Sequence, residues 1–236
     1  MIIKQALIMA AGHATRMRPL TDNLPKPLLK VKGAPLLTHI INHLNAEGVT
    51  KIIVNGYHAI EPLRAYIDEI QKQYPDIKFI LSEETELLET GGGAVQALQH
   101  LDKDKPFYMV NGDAYWVNFD TPTLQSLSNQ WDDNKHDILL LLQSCVSMQM
   151  TEAVGDYKLN GGVATRDLDK SGEYMFTGVR VCTPSILKNY KAEKFSFLQC
   201  MDDAQSQNRL CGVAHDGDWF HISTPTDLND VNGALT

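Results

Sequence analysis

The chain reads as an α/β fold built on a mostly parallel sheet with helices on both faces. Three observations predict it. Short apolar runs alternate with segments of helical spacing through the first half. The runs are continuously apolar, which suits strands buried on both faces. And 236 residues with 43% hydrophobic content suffice for a sizeable core. Strand–helix alternation of this kind implies parallel strands joined by right-handed crossovers.

Each element has its own signal. Strands are predicted at 6–9, 51–55, 77–81, 107–110 and 138–142. Between the first two, Leu37, Ile40, Ile41 and Leu44 recur at helical spacing. Pro35 stands near that helix's start and Gly48 near its end. A second helix, 62–73, carries Leu63, Tyr66, Ile67 and Ile70 on one face; a third, 94–101, is opened by three glycines. The second half is less regular. Strands are predicted at 161–166 and 176–181, helices at 184–190 and 197–205, a return to the sheet at 210–214, and a terminal helix at 225–234. There is no repeat or Pro/Ser-rich linker, so 1–236 reads as a single domain.

The formal net charge of −8 argues against a nucleic-acid partner, which would need a positive field. No apolar run is long enough to cross a bilayer, and the start MIIKQALIMAAG lacks a basic n-region and cleavage site. No membrane role is expected. The four cysteines form no CxxC pair and no zinc spacing, so they read as reduced thiols of a cytoplasmic protein.

Ligands of open α/β sheets bind beyond the carboxyl ends of the strands. The loops there are 10–26, 55–60, 82–93, 111–116 and 143–159. The first is the most telling. It joins small residues to Arg16, Arg18 and a lysine, Lys26, fixed between Pro25 and Pro27. Small residues let backbone N–H groups approach anionic oxygens, arginine adds bidentate bonds and lysine a point charge. The chemistry is that of a polyphosphate cradle. Asp113, in Asn111-Gly112-Asp113 after the fourth strand, is placed to hold Mg²⁺ against phosphates, although the same triplet is ordinary turn chemistry. Glu89-Thr90-Gly91-Gly92-Gly93 could let a flat ligand lie on its backbone. Neither a G-x-G-x-x-G fingerprint nor a P-loop is present. His39 and His43, four apart without an HExxH glutamate, read as solvated helix-face residues, and Cys145 and Cys182 as core.

Met9-Ala-Ala-Gly-His-Ala-Thr-Arg-Met-Arg-Pro-Leu-Thr-Asp-Asn-Leu-Pro-Lys-Pro27 resembles the signature of the sugar-1-phosphate nucleotidyltransferases. The resemblance continues through Glu89–Gly93, Asn111–Asp113, Phe176-Thr-Gly178 and the Trp219 segment. It is closest to the short N-acetylmuramate-1-phosphate uridylyltransferase branch; mannose-1-phosphate guanylyltransferases share much of the pattern. It implies a Rossmann-like, mostly parallel mixed sheet of the nucleotide-diphospho-sugar transferase fold. A nucleotide-binding half at about 1–115 and a sugar-binding half at about 116–236 would follow. It also implies Mg²⁺, with Mn²⁺ as the alternative, and in-line attack of a sugar 1-phosphate on a nucleoside triphosphate with loss of pyrophosphate.

By residue match, Arg16 would stabilise the α-phosphate and the leaving pyrophosphate, Lys26 would orient the reacting phosphates, and Asp113 would hold the metal. Ala10, Ala11, Gly12, Ala14, Thr15, Gly91 and Gly92 would meet the nucleotide. Asn111, Thr177 and Gly178 would approach the sugar. Two positions depart from the pattern. Ala14 replaces a glycine, so a positive φ there would carry strain. His221 replaces the aspartate that completes the metal site, and imidazole suits Mg²⁺ poorly. These departures motivate a competing reading, a nucleotide-sugar-binding module with weakened catalysis. A glycosyltransferase would want a D-x-D motif that Asn111-Gly112-Asp113 only half supplies.

Overall fold

A computed structural model describes residues 2–148, 150 and 153–235. Positions 149, 151 and 152 of the predicted 143–159 loop, and the two end positions of the 1–236 domain, lie outside the described residues. In chain order the elements are β1 (Gln5–Met9), β2 (Lys30–Val31), β3 (Ala34–Pro35), α1 (Leu36–Ala46), β4 (Lys51–Gly56), α2 (Ile60–Gln73), β5 (Lys78–Glu83) and α3 (Glu89–Ala97). There follow β6 (Phe107–Asn111), β7 (Tyr115–Val117), α4 (Thr123–Gln130), β8 (Ile138–Ser144), β9 (Tyr157–Asn160), β10 (Val163–Arg166) and β11 (Tyr174–Cys182). The chain closes with α5 (Leu198–Ser206), β12 (Leu210–Ala214), β13 (Asp218–Phe220) and α6 (Pro225–Ala234).

Nine strands form one sheet in the order β5-β4-β1-β6-β11-β8-β12-β10-β9. The first four are parallel, as the crossover pattern requires. β11 enters antiparallel between β6 and β8, which makes the sheet mixed. β12 runs parallel to β8, and β9–β10 is a hairpin turned at Gly161 and Gly162, both at positive φ. Successive residues of β1 bury on opposite faces: Ile8 joins Ile40, Ile52 and Val110 on one side, Leu7 joins Ile53, Phe107 and Phe197 on the other. A third apolar cluster seats α6 (Leu228, Val231) on Val31, Leu36 and Tyr115. A Thr224–Asp227 capping box starts that helix.

Several elements differ from the pattern-based reading. The three glycines lie inside α3 rather than before it. Their helicity comes from packing, since glycine is intrinsically a poor helix former. The predicted helix at 184–190 is a single 3₁₀ turn, Pro184–Leu187. The two-stranded ribbon β7–β13 was not anticipated, because three-residue strands carry no periodicity.

His39 and His43 are half-buried rather than solvated. His43 stacks on Trp116 with ring centroids 4.4 Å apart, and His39 meets Tyr115 edge-on at 5.0 Å with Nε2 2.8 Å from the Val31 carbonyl. Aromatic surface on β7 recruits both histidines to cover it, which the α1 sequence alone does not reveal. Burial is the largest influence on His43, and together with the nearby His39 and His215 it pushes the imidazole down from 6.5 to about 4.

This histidine sets an acid limit. Its folded-state value lies below the unfolded one, so its contribution is complete above pH 6.5 and is lost as pH falls toward 4. The loss reaches up to about 3 kcal/mol at 1.36 kcal/mol per pH unit. Thermal midpoints between pH 7.5 and 4.5 should fall steeply below pH 6.5, and His43→Gln should flatten that slope. A parallel slope in the variant would rule His43 out.

Candidate functional site

The loops at the carboxyl edge are tied together by one buried relay. β1 ends at Met9, and the next N–H, of Ala10, donates to Asn55 Oδ1 at 2.6 Å. Asn55 Nδ2 donates to Glu84 Oε1 at 2.6 Å, and the Leu88 N–H donates to Glu84 Oε2 at 2.9 Å. Asn55 and Glu84 are both buried. Burial pushes the Glu84 carboxyl up, while the bonds from Leu88 and Asn55 oppose it. A Cβ added to Gly93 would stand 2.5 Å from Glu84 Oε1 and 2.6 Å from Asn55 Nδ2, so only glycine fits there. Neither Asn55 nor Glu84 was singled out from the sequence. The available signal was a polar residue at the carboxyl end of each of two apolar strands.

Above the relay lies a cleft of about 400 Å³. Ala10, Ala11, Gly12, Ala14, Arg16, Lys26, Asn111 and Asp113 all line it, with Leu87, Glu89 and Thr90 on the far wall. Ala14 is left-handed, at φ 45 and ψ 48. Such a conformation costs a non-glycine residue about 1–2 kcal/mol. Its carbonyl accepts from Met17 N–H at 2.9 Å and Thr21 Oγ1 at 3.0 Å, which holds the turn in place. Thr15 and Arg16 sit on the 3₁₀ turn Thr15–Met17, both exposed. No acidic side chain among the described residues pairs with Arg16, whereas Arg18 pairs with Asp22 at 3.4 Å. Lys26 opens the turn Lys26–Leu28 between its two prolines and reaches Asp113 Oδ2 at 2.6 Å. The lysine side chain is 10% exposed and the aspartate 43%, so the carboxylate is the accessible partner.

His221 feels the charges of Lys26, Asp113, Asp227 and Arg16. Burial first, then the Lys26 ammonium, pushes its imidazole below the ordinary range, so it is neutral at pH 7. Asp216 lies beside His215 and Asp218 opposite Val117, and neither lines the cleft. Among the described residues no group of three or more His, Cys, Asp or Glu side chains could hold a metal ion. The donors that fit are the Asp113 carboxylate and, less well, the His221 imidazole. Such a set suits an ion completed by phosphate oxygens rather than a closed protein cage.

The remaining sequence-predicted residues divide. Gly91 and Gly92 are buried behind Thr90, and the Gly91 N–H donates to the Phe195 carbonyl at 2.9 Å. A side chain on Gly91 would strike the Phe195 ring, and one on Gly92 the Glu193 carbonyl. These glycines admit the 193–195 segment against α3. Thr177 is also turned inward, donating to the Leu141 carbonyl at 2.9 Å. Gly178, at φ +83, marks a register shift in β11 and lies directly against Asn111, where a Cβ would come within 2.9 Å of Nδ2.

The nucleotidyl transferase family model matches residues 5–152. The chain is 31% identical to an N-acetylmuramate α-1-phosphate uridylyltransferase of Caulobacter vibrioides, over 94% of this chain and 93% of that protein. It is 37% identical to a mannose-1-phosphate guanyltransferase of Emericella nidulans, over 95% of this chain and 62% of that protein. In structure it matches a UDP-glucose pyrophosphorylase complexed with UDP-glucose at TM-score 0.79 and 15% identity, covering 99% of this chain and 98% of the other. That likeness establishes the nucleotide-diphospho-sugar transferase fold.

Two substitutions test this geometry. Gly93→Ala should force the relay apart and lower stability by about 2 kcal/mol in urea titration, the penalty of stranding buried polar groups. An unchanged midpoint would show that the edge does not depend on the relay. Ala14→Gly should relieve left-handed strain and raise stability by up to about 1 kcal/mol, glycine's unfolded-state entropy offsetting the rest. A lowered midpoint would contradict the strained assignment.

Proposed function

The chain belongs to the nucleotidyl transferase family and is a sugar-1-phosphate nucleotidyltransferase, and from that premise we propose that it joins UTP to N-acetylmuramate 1-phosphate. The observation that carries the site assignment is the convergence of Arg16, Lys26 and Asp113 on one cleft lined by small residues. In-line transfer needs positioning and charge neutralisation more than covalent help. Arg16, exposed and with no acidic partner among the described residues, is free to bond the triphosphate in a bidentate manner. Lys26, held by two prolines, presents its ammonium from one direction and orients the attacking phosphate oxygen. The backbone from Ala10 to Thr15 lies against the nucleotide, and Asn111 faces the sugar. Bound through Asp113 and phosphate oxygens, a divalent ion would neutralise charge on the phosphates. His221 and Ser223 border the same place.

The choice of uridylyl transfer is supported by chain architecture. This chain and the bacterial uridylyltransferase match over nearly their whole lengths, whereas it spans 62% of the fungal guanyltransferase. The second reading, GTP with mannose 1-phosphate, is favoured by the higher identity to that fungal enzyme.

Pyrophosphate release across a panel of triphosphates and sugar 1-phosphates, with Mg²⁺ and with Mn²⁺, decides the matter. Turnover should be fastest with UTP and N-acetylmuramate 1-phosphate. Tight nucleotide binding without release under any pairing would favour a binding module instead. Lys26→Ala should reduce kcat by about 10²–10³, the loss seen when one charge-stabilising donor is removed, with an unchanged circular dichroism spectrum. A rate within threefold of wild type would remove Lys26 from the reaction.

A further inference from the structure

Arg180 is 2% exposed, and no carboxylate among the described residues lies within ion-pair distance of it. Arginine stays charged in proteins, and an unpaired buried charge costs several kcal/mol. Part of that cost is offset by two rings: the guanidinium carbon lies 5.2 Å from the Phe176 centroid and 4.6 Å from that of Phe197. Aromatic faces stabilise a cation but supply no acceptor for its N–H groups, and the only other side-chain partner among the described residues is the Cys182 thiol, a weak acceptor. Arg180 Nε is accordingly buried with no hydrogen-bond partner. Two further polar atoms nearby are buried and unpartnered, Tyr157 Oη and Asn111 Oδ1. Tyr157 is also 2% exposed, and its ring meets Phe176 edge-on at 6.4 Å.

Neither Arg180 nor Tyr157 lines the cleft itself, but the strand geometry sets the guanidinium behind a residue that does. Arg180 pairs with Met109, two residues before Asn111, which lines the cleft. Between Phe176 and Arg180 the register shifts at Gly178, whose missing side chain leaves the space beside Asn111. Reaching the Phe176 ring therefore carries the guanidinium past Gly178 toward the cleft floor. On the opposite wall, the Phe197 N–H donates to Thr90 Oγ1 at 3.0 Å, and Thr90 also lines the cleft. Of Phe176, Phe197, Tyr157 and Arg180, only Phe176 is partly exposed, so the approach runs beside it.

We propose that Arg180, with Tyr157 Oη as a second donor, binds a carboxylate carried by the sugar 1-phosphate and makes the enzyme selective for an acidic sugar. A planar carboxylate matches the guanidinium fork and would meet it edge-on, in the plane that the two rings flank. It also supplies the acceptor that Nε lacks. The phosphates are served separately by Arg16 and Lys26. This inference rests on the uridylyltransferase reading and adds to it a residue that tells N-acetylmuramate 1-phosphate from its neutral counterpart.

The test is kcat/KM with UTP for N-acetylmuramate 1-phosphate and for N-acetylglucosamine 1-phosphate, which lacks the carboxylate. Wild type should prefer the acidic sugar by about 100-fold, the discrimination expected of hydrogen bonds to a charged group. Arg180→Met should collapse that ratio to a few-fold while changing the neutral sugar's value less than threefold. Its thermal midpoint should equal or exceed that of wild type, since an unpaired buried charge has been removed. Should Arg180→Met fail to fold, Tyr157→Phe removes only the second donor and should lower the ratio about tenfold. Equal losses on both sugars, or an unchanged ratio in a folded variant, would overturn the Arg180 proposal and leave the uridylyltransferase reading standing. Wild-type turnover with neither sugar would defeat that reading and this proposal together.

Discussion

Asn55 is an amide with both ends committed. Its oxygen takes the Ala10 N–H at the start of the 10–26 loop, and its nitrogen serves Glu84, which in turn caps the Leu88 N–H. Three loops that converge on one cleft are thereby held by a side-chain chain rather than by sheet hydrogen bonds. The arrangement is all-or-none: buried polar groups are stabilising when every member is satisfied and costly when one is lost. Gly93 belongs to the same constraint, because a single methyl there would separate Asn55 from Glu84. Gly112 plays the matching part beneath the loop. Its N–H donates to the Met9 carbonyl at 2.8 Å, and a Cβ would stand 2.8 Å from Pro27 Cγ. The cleft floor is thus set by backbone approach, and the positions of Arg16, Lys26 and Asp113 follow from it.

Given that floor, the charges divide by exposure. Lys26 is nearly enclosed and leans on the half-exposed Asp113, whereas Arg16 stands open on a short 3₁₀ turn. A buried ammonium without Asp113 would be costly, so the pair gives Lys26 its partner and fixes its direction. In the proposed reaction, phosphate oxygens would take over as acceptors for the lysine and leave the carboxylate available to a cation. One ion pair therefore serves both folding and the site's readiness, and it explains why a deeply seated lysine is tolerated in this loop.

The sequence revealed what depends on long apolar runs and on the phosphate-loop signature. β1, β4, β6 and β8 lie where continuous apolar runs placed them, and Arg16, Lys26 and Asp113 do meet in one cleft. It concealed what depends on cross-chain packing. Gly91 and Gly92 look like a ligand platform in one dimension; in three they are the space into which Phe195 and Glu193 fit. His43 looks like a surface histidine until Trp116, seventy-three positions later, is laid against it. β7 and β13 are three residues each and acquire their pairing only when the tertiary fold brings Trp116 and Trp219 opposite one another. Thr177, matched as a sugar contact, proves to be a strand residue whose hydroxyl is spent on the Leu141 carbonyl.

Ala14 and His221, the two departures from the family pattern, are best understood through local charge. With His221 neutral, the charged side chains lining the cleft are Arg16, Lys26, Asp113 and Glu89, whose formal charges cancel. An aspartate at 221 would add one negative charge to that balance. Relative to an aspartate, the histidine would weaken the protein's own hold on a divalent cation and favour an anionic ligand. In the proposed reaction, phosphate neutralisation would then fall more on the side chains and the loop backbone. It is in this setting that strain at Ala14 is tolerated: the turn it distorts is the one that presents Arg16, and two hydrogen bonds to its carbonyl keep that turn closed. A site that relies more on Arg16 gains from fixing the turn that carries it, even at a local conformational cost.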